Sequence, residues 1–493
     1  MENSILNLKP SNVWKHFHEL TQIPHPSGHM EKITAFIEGF GKNLGLETVR
    51  DAANNICIRK PATLGYENKQ TIVLQSHLDM VPQANSDTPF DFEQDPIQTY
   101  IDGDWVKAKG TTLGADNGIG AAAAMAILEA ADLEHGALEA LFTTDEETGM
   151  YGAQLVNPDL IKGKIMLNLD SELDGELYIG CAGGADVTVQ FRYEEEVLRL
   201  PKTDIVVKIS LTGLKGGHSG VDIHLGRANA NELIFRFLKE AAKKCHIRLS
   251  SVSGGSLRNA IPREAFATIV VDGLETYNQI YKRVADYETL FNKEFEGIEN
   301  KIEFKAERLN QMAEIKLIPE AIQTQLTHAV VGCPNNVINM FAEIPDTVET
   351  SINMAVVESQ EGHADLKFLA RSSSESKKYA VCSSVESVFS LAKADSIETR
   401  NGYPGWDPNY KSTILSIMED VFEKQRGFKP EVKVMHAGLE CGIILSNVPG
   451  LDTVSFGPTI KYPHSPDEKV EIASVQKFWD YLTAILKHAP ENN

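Results

Sequence analysis

Basic residues are scarce in this sequence. Lys and Arg total 47 against 69 Asp and Glu, which gives a formal net charge of −22 at pH 7. Such an excess of negative charge repels the phosphate backbone of nucleic acids and the anionic surface of membranes. We therefore expect no nucleic-acid partner and no membrane association.

Long apolar runs and paired cysteines are absent as well. The longest apolar run, residues 119–128, is too short to span a bilayer and is followed by Glu129. The N-terminal sequence, MENSILNLKP, lacks the basic and apolar regions of a signal peptide. The six cysteines are scattered without a CxxC pair, which favours reduced cytosolic thiols over a disulfide framework or a thiolate zinc site. We expect a cytoplasmic protein.

The sequence does have the composition of a folded globular protein, with 42% hydrophobic and 24% charged residues. Its 493 residues exceed the length at which a single core stops growing, so two or more domains are expected. Short β-rich runs alternate with helical stretches at residues 71–75, 119–131, 138–143 and 164–169. This alternation predicts an α/β fold with a mostly parallel sheet flanked by helices.

The middle of the chain has a different character. Charged strands at 204–211 and 265–271 and an amphipathic helix at 228–244 predict an α+β insertion. The α/β pattern resumes with a strand at 453–456 and a helix at 474–487. Strand and helix signals recur within the insertion, which suggests a duplicated unit. We therefore predict a first domain formed by residues 1–186 and 401–493, with an inserted domain at 187–400.

Histidine and acidic side chains recur where predicted strands end. The apolar run TIVLQS leads into His77 and Asp79, which are two residues apart and so face the same way in an extended chain. In an open α/β sheet the carboxyl ends of the strands line the ligand crevice, where Asp79 can orient the His77 ring. The same placement recurs along the chain, and the candidate ligands are His77, Asp116, Asp170, His464 and one or both of Glu146 and Glu147.

Each of these residues also has an ordinary explanation. Asp116 can cap the helix that follows it, and residues 145–147 can form a solvated turn. A chance gathering of two histidines and several acids at strand ends is less easily explained. Because the set contains His and carboxylates but no Cys, it suits Zn, Mn or Co.

Eight motifs extend the pattern over most of the chain. They are SHLDMVPQ, GTTLGADNGIGAAAA, TTDEETGMYGA, LNLDSE, GGHSGVDI, RNAIPREA, HAGLECG and PHSPDE, between about residues 75 and 470. In this order the motifs resemble those of the M20 metallopeptidases, the aminoacylase and carboxypeptidase G2 type. Within that family the sequence is most similar to the aminoacyl-histidine dipeptidases, which cleave carnosine.

The resemblance implies a role for each candidate ligand. Two zinc ions, replaceable by Co or Mn, would share Asp116 as a bridging carboxylate. His77 and Asp170 would complete one metal position, and Glu147 and His464 the other. It further implies that Glu146 is the general base, that Asp79 supports His77, and that the Asp116–Asn117 peptide bond is cis.

The resemblance also assigns residues to substrate. His218, in a Gly-rich loop of the insertion, would stabilise the oxyanion, from its own chain or from a neighbouring one. Asn259 and Arg371 would bind the terminal carboxylate of the substrate, and Glu440 its free amine. The insertion would then be a lid, roughly twice the size of the single lid in many relatives. A surface role for His218 or Arg371 and a helix-start role for Glu440 stay open.

These inferences predict a cytoplasmic metallodipeptidase with dipeptides as partners and a possible homodimer. The expected substrates are Xaa-His dipeptides, including β-alanyl-histidine, and other unblocked dipeptides. One alternative is an aminoacylase or other amidohydrolase on the same scaffold. A second is a non-catalytic protein that binds metal or peptide, which the presence of Glu146 disfavours.

Overall fold

The structure is a computed structural model that describes residues 4–310 and 312–492. The chain folds into two compact units. Unit 1 comprises Met1–Cys181, Trp406–Val434 and Leu439–Asn493, and unit 2 comprises Ala182–Gly405 and Met435–Gly438. The boundaries predicted at 186/187 and 400/401 lie close to two of these limits. The division of roles between a catalytic domain and a lid stays a prediction.

The first part of unit 1 contributes most of its elements. Its helices are α1 (Ser11–Thr21), α2 (Glu31–Asn43), α3 (Ala115–Glu129) and α4 (Tyr151–Gln154). Its strands are β1 (Glu47–Arg50), β2 (Ile56–Lys60), β3 (Ile72–His77), β4 (Thr99–Asp102), β5 (Trp105–Ala108), β6 (Leu138–Thr143), β7 (Ile165–Asn168) and β8 (Glu176–Cys181).

Unit 2 follows in the chain. Its strands are β9 (Gly183–Arg192), β10 (Glu196–Arg199), β11 (Ile205–Thr212), β12 (Gly217–His218), β13 (Arg248–Gly254), β14 (Ala260–Ile261), β15 (Ala265–Val271), β16 (Glu303–Arg308), β17 (Glu314–Leu317), β18 (Asn336–Met340), β19 (Val348–Gln360), β20 (His363–Ser372) and β21 (Ser396–Tyr403). Its helices are α5 (Ala230–Cys245), α6 (Leu274–Glu294), α7 (Glu320–Gly332) and α8 (Glu375–Leu391).

The C-terminal part of the chain returns to unit 1, except for Met435–Gly438. It adds α9 (Thr413–Arg426), β22 (Glu431–Met435), α10 (Glu440–Asn447), β23 (Asp452–Ser455), β24 (Ile460–Lys461), β25 (Lys469–Glu471) and α11 (Ile472–Lys487). Short 3₁₀ turns at Ile5–Asn7, Pro158–Leu160 and Ile223–Leu225 complete the described elements.

The main sheet of unit 1 has the strand order β1-β2-β6-β3-β7-β23-β8-β22. Its central strands β6, β3, β7 and β23 are parallel. The pairs β1/β2, β2/β6 and β23/β8 are antiparallel. The predicted α/β class is confirmed, but the sheet is mixed rather than mostly parallel. The antiparallel strands lie outside the runs that gave the α/β alternation, so the sequence pattern did not reveal them.

Burial explains why the central strands read as apolar runs. Every residue of β3, β6 and β7 is buried, as expected for parallel strands that are covered on both faces. Helix α3 is apolar nearly all round and almost entirely buried. A Cβ atom at Gly118 would lie 3.1 Å from the ring of Phe17 in α1, so the small residue allows the two helices to pack closely.

Unit 2 consists of two halves with the same βαββαβ topology. The first half is β11-α5-β13-β15-α6-β16, with the sheet order β16-β11-β15-β13. The second is β9-α7-β19-β20-α8-β21, with the order β19-β20-β9-β21. The halves join edge to edge through the antiparallel pair β13/β19, and one apolar core lies under both. The predicted duplication is therefore present, with the first half inserted between β9 and α7 of the second.

All six cysteines are buried and free. Burial raises the pKa of Cys57 to about 12, which keeps this thiol protonated at neutral pH. Among the described residues, no helix has the length and apolar character needed to cross a membrane.

Candidate active site

Three neighbouring parallel strands of unit 1 bring candidate ligands to one edge of the sheet. His77 is the last residue of β3. The turn that contains Glu146 and Glu147 follows β6, and Asp170 lies shortly after β7. Because the carboxyl ends of parallel neighbours lie at the same edge, these side chains are positioned to meet.

Asp116 lies between two histidines. Its Oδ1 atom is 3.2 Å from Nε2 of His77, and its Oδ2 atom is 3.3 Å from Nε2 of His464. On the first side, His77 Nε2 is also 3.3 Å from Asp170 Oδ1. On the second, His464 Nε2 is 2.9 Å from Glu147 Oε2. The structure thus gathers all five ligands that the resemblance implied into two groups that share Asp116.

The donor atoms are close enough to hold metal. In each group, His77/Asp116/Asp170 and Asp116/Glu147/His464, the candidate atoms lie within 4.8 Å of one another. The residues also fit a metal chemically, because buried Glu147 Oε1 and Asp170 Oδ1 have no hydrogen-bond partner within the described residues. Unpartnered buried carboxylate oxygens are unfavourable unless a cation meets them.

The pKa values of the clustered acids and histidines also support a metal site. Burial raises the pKa of Asp170 to about 7, and the charges of Asp116 and Glu147 add to this rise. Hydrogen bonds with Asp116 and Glu147 raise the pKa of the half-exposed His464 to about 11. The mutual repulsion of these carboxylates is relieved once divalent cations are bound.

An irregular backbone presents Asp116 at the start of α3. Gly114 adopts the left-handed region with φ of 71°, and Asp116 and Asn117 have non-helical φ/ψ angles. The Asp116–Asn117 peptide bond is cis, as the resemblance implied. Asn117 Nδ2 donates a 2.7 Å hydrogen bond to the carbonyl of Leu169, which ties this turn to the end of β7. A Cβ atom at Gly120 would lie 2.6 Å from the same carbonyl oxygen, so a side chain does not fit there.

Asp79 holds the turn of the two glutamates. Its Oδ1 accepts a hydrogen bond from the N–H of Glu146 at 2.9 Å, and its Oδ2 accepts from the N–H of Glu147 at 3.1 Å and from Ser27 Oγ at 2.8 Å. The His77 ring is 3.5 Å from the Asp79 carboxylate, and its Nδ1 lies nearer to the Asp79 carbonyl oxygen, at 3.0 Å. Burial opposes ionisation, but the contacts from His77, Glu146 and Ser27 lower the pKa of Asp79 to about 2.

Glu146 lies outside the two ligand groups that share Asp116, although its carboxylate forms a third candidate group with His77 and Glu147. Burial raises its pKa well above the usual range, and Asp170, Glu440 and Glu147 add to the rise. A carboxyl group with a raised pKa is suited to exchange protons near neutral pH.

Glu440 begins helix α10 and is buried, with 1% of its surface exposed. Its Oε2 accepts hydrogen bonds from Gln75 Nε2 at 2.6 Å and Thr143 Oγ1 at 2.7 Å. Gln75 in turn accepts from Asn168 Nδ2. Glu440 therefore belongs to a buried polar network behind the ligands, and its contact with a substrate amine stays a prediction.

The nitrogens of His218 in unit 2 have distinct roles. Nδ1 accepts hydrogen bonds from the N–H groups of Gly220 and Val221, at 3.1 and 3.2 Å. Burial and the charge of Arg371 lower the pKa of His218, so the ring is neutral at neutral pH. An accepting Nδ1 in a neutral ring places the proton on Nε2, which is then a donor.

Ser219 connects the other two predicted residues of unit 2. Its N–H donates a 2.8 Å hydrogen bond to the carbonyl oxygen of Asn259, which is an exposed residue. Its Oγ accepts a 3.4 Å hydrogen bond from Nε of Arg371, which is 4% exposed. Arg371 also donates to the hydroxyl of Tyr403 at 3.0 Å. The structure therefore brings His218, Asn259 and Arg371 to one part of unit 2.

His436 and Glu468 were not among the candidate site residues predicted from the sequence. The buried His436 contacts Ser351 Oγ at 2.7 Å through Nε2, and burial together with the charge of Arg371 lowers the pKa of His436 to about 3. Glu468 accepts hydrogen bonds from the backbone that carries Asp116. His436 lies in the motif HAGLECG with Glu440, and Glu468 lies in the motif PHSPDE with His464. Their closeness in sequence to these candidate residues was the signal that could have identified them.

Comparisons with known proteins place this geometry in a family. Residues 73–488 match the profile of peptidase family M20/M25/M40. The chain is 43% identical over 490 residues to the cytosol non-specific dipeptidase of Escherichia coli (strain K12), covering 99% of each sequence. The crystal structure of aminoacylhistidine dipeptidase from Vibrio alginolyticus matches with a TM-score of 0.93 and 46% identity, over 99% of each chain.

Aminopeptidase PepT from Bacillus cereus shares the fold at a greater distance. Its TM-score is 0.57 at 17% identity, and the match covers 98% of this chain and 99% of that one. Together with the two close relatives, the match over residues 73–488 identifies the fold and the class of enzyme. The chain therefore belongs to peptidase family M20/M25/M40 and is a peptide-bond hydrolase.

Proposed function

We propose that this chain is a cytoplasmic dipeptidase that uses two zinc ions to hydrolyse unblocked dipeptides, among them Xaa-His dipeptides such as β-alanyl-histidine. The observation that carries the proposal is the position of Asp116, whose two carboxylate oxygens lie 3.2 and 3.3 Å from two different histidines. A carboxylate that faces two donor groups in opposite directions suits a bridge between two metal ions.

The relatives support the choice of substrate. One close relative is a cytosol non-specific dipeptidase and another is an aminoacylhistidine dipeptidase, and each covers nearly the whole chain. The two names agree on dipeptides as substrates. They differ in breadth, so we propose Xaa-His cleavage within a wider dipeptide range.

Zinc is proposed from the donor set. His77 and Asp170 would hold one ion, and His464 and Glu147 would hold the other. Asp116 would contribute to both positions. Imidazole and carboxylate ligands without thiolates suit zinc, with cobalt or manganese as substitutes. When bound, such a pair of ions polarises the scissile carbonyl and lowers the pKa of water.

The remaining chemistry belongs to side chains of the chain. Glu146 would take the proton from the attacking water and return it to the leaving amine, so no covalent intermediate is needed. The Nε2–H of His218 would donate a hydrogen bond to the oxyanion, in keeping with a neutral ring whose Nδ1 is already occupied. The inserted segment 187–400 would serve as the lid that supplies this group, from the same chain or from a partner in a homodimer.

The ends of the dipeptide require opposite charges. The Arg371 guanidinium would bind the terminal carboxylate, with Asn259 as a second donor. Glu440 would meet the free amine at the other end. Since the nearby Asp186–Arg258 and Lys377–Glu349 pairs already satisfy each other, Arg371 is the cation of this part of unit 2 that we assign to substrate.

A substrate panel tests the proposal. Purified protein should cleave carnosine and a series of free dipeptides, and cleave N-acetyl amino acids far more slowly. Preferential hydrolysis of N-acetyl amino acids would instead identify an aminoacylase on the same scaffold. Binding of metal without turnover of either class would identify a non-catalytic protein.

A further inference from the structure

Glu468 is a buried carboxylate outside the two ligand groups, with 2% of its surface exposed. It accepts four backbone hydrogen bonds from one loop. Its Oε2 accepts from the N–H groups of Leu113 at 2.7 Å and Gly114 at 3.0 Å. Its Oε1 accepts from Ala115 at 2.8 Å and Asp116 at 3.2 Å. The whole acceptor capacity of the carboxylate is thus directed at the loop that presents Asp116.

This loop has little else to fix it from within. The N-cap residue of α3 is Gly114, which offers no side-chain hydrogen bond. The first N–H groups of a helix need acceptors, and an anion near the N-terminus is favoured by the helix dipole. Glu468 therefore supplies the acceptors that the loop itself lacks, in addition to the hydrogen bond from Asn117 to Leu169 that anchors the first turn of α3.

Glu468 belongs at the same time to the loop of His464. That loop connects β24 and β25, and the N–H of Glu468 donates a 3.0 Å hydrogen bond to the carbonyl of Ser465. Ser465 Oγ donates to the carbonyl of Tyr462 at 2.9 Å, which closes the loop on itself. The side chain of Glu468 therefore joins the loop of His464 to the loop of Asp116. In these two loops, His464 Nε2 lies 3.3 Å from Asp116 Oδ2.

We infer that Glu468 is a positioning residue that locks the loops of Asp116 and His464 together, so that the shared carboxylate and the histidine keep the geometry of the metal centre before metal arrives. The inference rests on the proposed function, because the ligands it positions are those of the proposed two-zinc site. Glu468 itself belongs to none of the candidate ligand groups among the described residues.

The competing explanation is that Glu468 only stabilises the fold. Glu139 provides a matched control, because it is equally buried and also accepts backbone hydrogen bonds, from Lys162 at 2.8 Å and Gly163 at 2.9 Å. It additionally pairs with Arg59. Glu139 lies near the start of β6, at the opposite end of the strand from the turn of Glu146. Glu139→Gln should therefore lower stability without changing metal binding.

Metal affinity separates the two explanations. Glu468→Gln keeps the shape of the side chain but turns an NH₂ donor toward two of the four N–H groups. We expect the zinc affinity of the metal-free variant, measured by competition with a chromogenic chelator, to fall roughly 10- to 100-fold, as is typical for residues that orient ligands. Wild-type affinity in Glu468→Gln would overturn the inference. If the wild-type protein itself bound no zinc, the proposed function would fail instead.

Hydrogen exchange tests the inference even if Glu468→Gln does not fold. In metal-free wild-type protein, the amides of residues 113–116 should exchange slowly, because Glu468 already accepts from them. Rapid exchange there would overturn the inference. In a folded Glu468→Gln variant, exchange should rise at 113–116 and stay slow at 162–163, and Glu139→Gln should show the reverse pattern.

Discussion

The carboxylate of Asp79 accepts a 2.9 Å hydrogen bond from the backbone N–H of Glu146. This contact fixes the proposed general base through its main chain and leaves the Glu146 side chain free to act. Asp79 was expected to support the ring of His77. Its carboxylate lies closer to the N–H groups of Glu146 and Glu147 than to the His77 ring, at 2.9 and 3.1 Å against 3.5 Å, so it orients the acids as well as the histidine.

Replacement of Asp79 by Asn should therefore damage catalysis without removing a ligand. The amide of Asn cannot accept from both N–H groups, and an unpaired buried donor costs about 1–3 kcal/mol. We expect kcat/KM for a dipeptide to fall roughly 10- to 100-fold, as for other residues that orient ligands. Ser27→Ala, which removes one donor to the same carboxylate, should have a smaller effect. Equal losses in the two variants would contradict this role for Asp79.

Glu146 and Glu147 should respond differently to the same substitution. Glu146→Gln should bind zinc normally but lose roughly 10²- to 10⁴-fold in kcat, the usual contribution of a general base. Glu147→Gln should lose metal, because its carboxylate lies 2.9 Å from His464 in the second ligand group. Metal analysis beside steady-state kinetics distinguishes the two. Loss of zinc from Glu146→Gln would reverse the assignment.

His218 should contribute to turnover and not to metal binding. His218→Asn removes the Nε2 donor, and loss of one donor to an oxyanion typically lowers kcat by about 10²- to 10³-fold. The exposed His224 in the neighbouring 3₁₀ turn is the matched control, and His224→Asn should keep wild-type kcat. An unchanged kcat in His218→Asn, measured at saturating dipeptide, would remove His218 from the reaction.

Two helical glycines should give opposite results when replaced by alanine. At Gly120 the added Cβ would lie 2.4 Å from Asn117 Oδ1 and 2.6 Å from the Leu169 carbonyl, and such overpacking typically costs about 1–3 kcal/mol. At Gly39 in α2 nothing lies within 4 Å of the new Cβ. There alanine should stabilise the helix by up to about 1 kcal/mol. Thermal unfolding of both variants checks the difference, and a stable Gly120→Ala would contradict the packing at this turn.

Much of the site could be predicted because its ligands follow strands that read clearly in the sequence. The strand predicted at 138–143 has the bounds of β6, and His77 closes β3. Parallel neighbours then bring residues far apart in the chain to one edge. The separate roles of Glu146 and Glu147 could not be read from the residues, since adjacent acids have the same chemistry. Only the resemblance distinguished them.

Long-range contacts to the backbone could not be predicted from the sequence. The hydrogen bond from the N–H of Ala115 to Glu468 joins residues 353 positions apart, and no periodicity records such a pair. The interleaved halves of unit 2 have the same cause. Strand β9 precedes the first half in the chain but pairs with β20 and β21 of the second, so the repeat is visible only in the sheet order.

The most direct test of the account is a zinc titration of metal-free protein while carnosine hydrolysis is followed. Because Asp116 faces both histidines, activity should be absent without metal and should reach its maximum at two zinc ions per chain. Full turnover in the metal-free protein, or saturation at a single zinc ion, would contradict the two-metal dipeptidase.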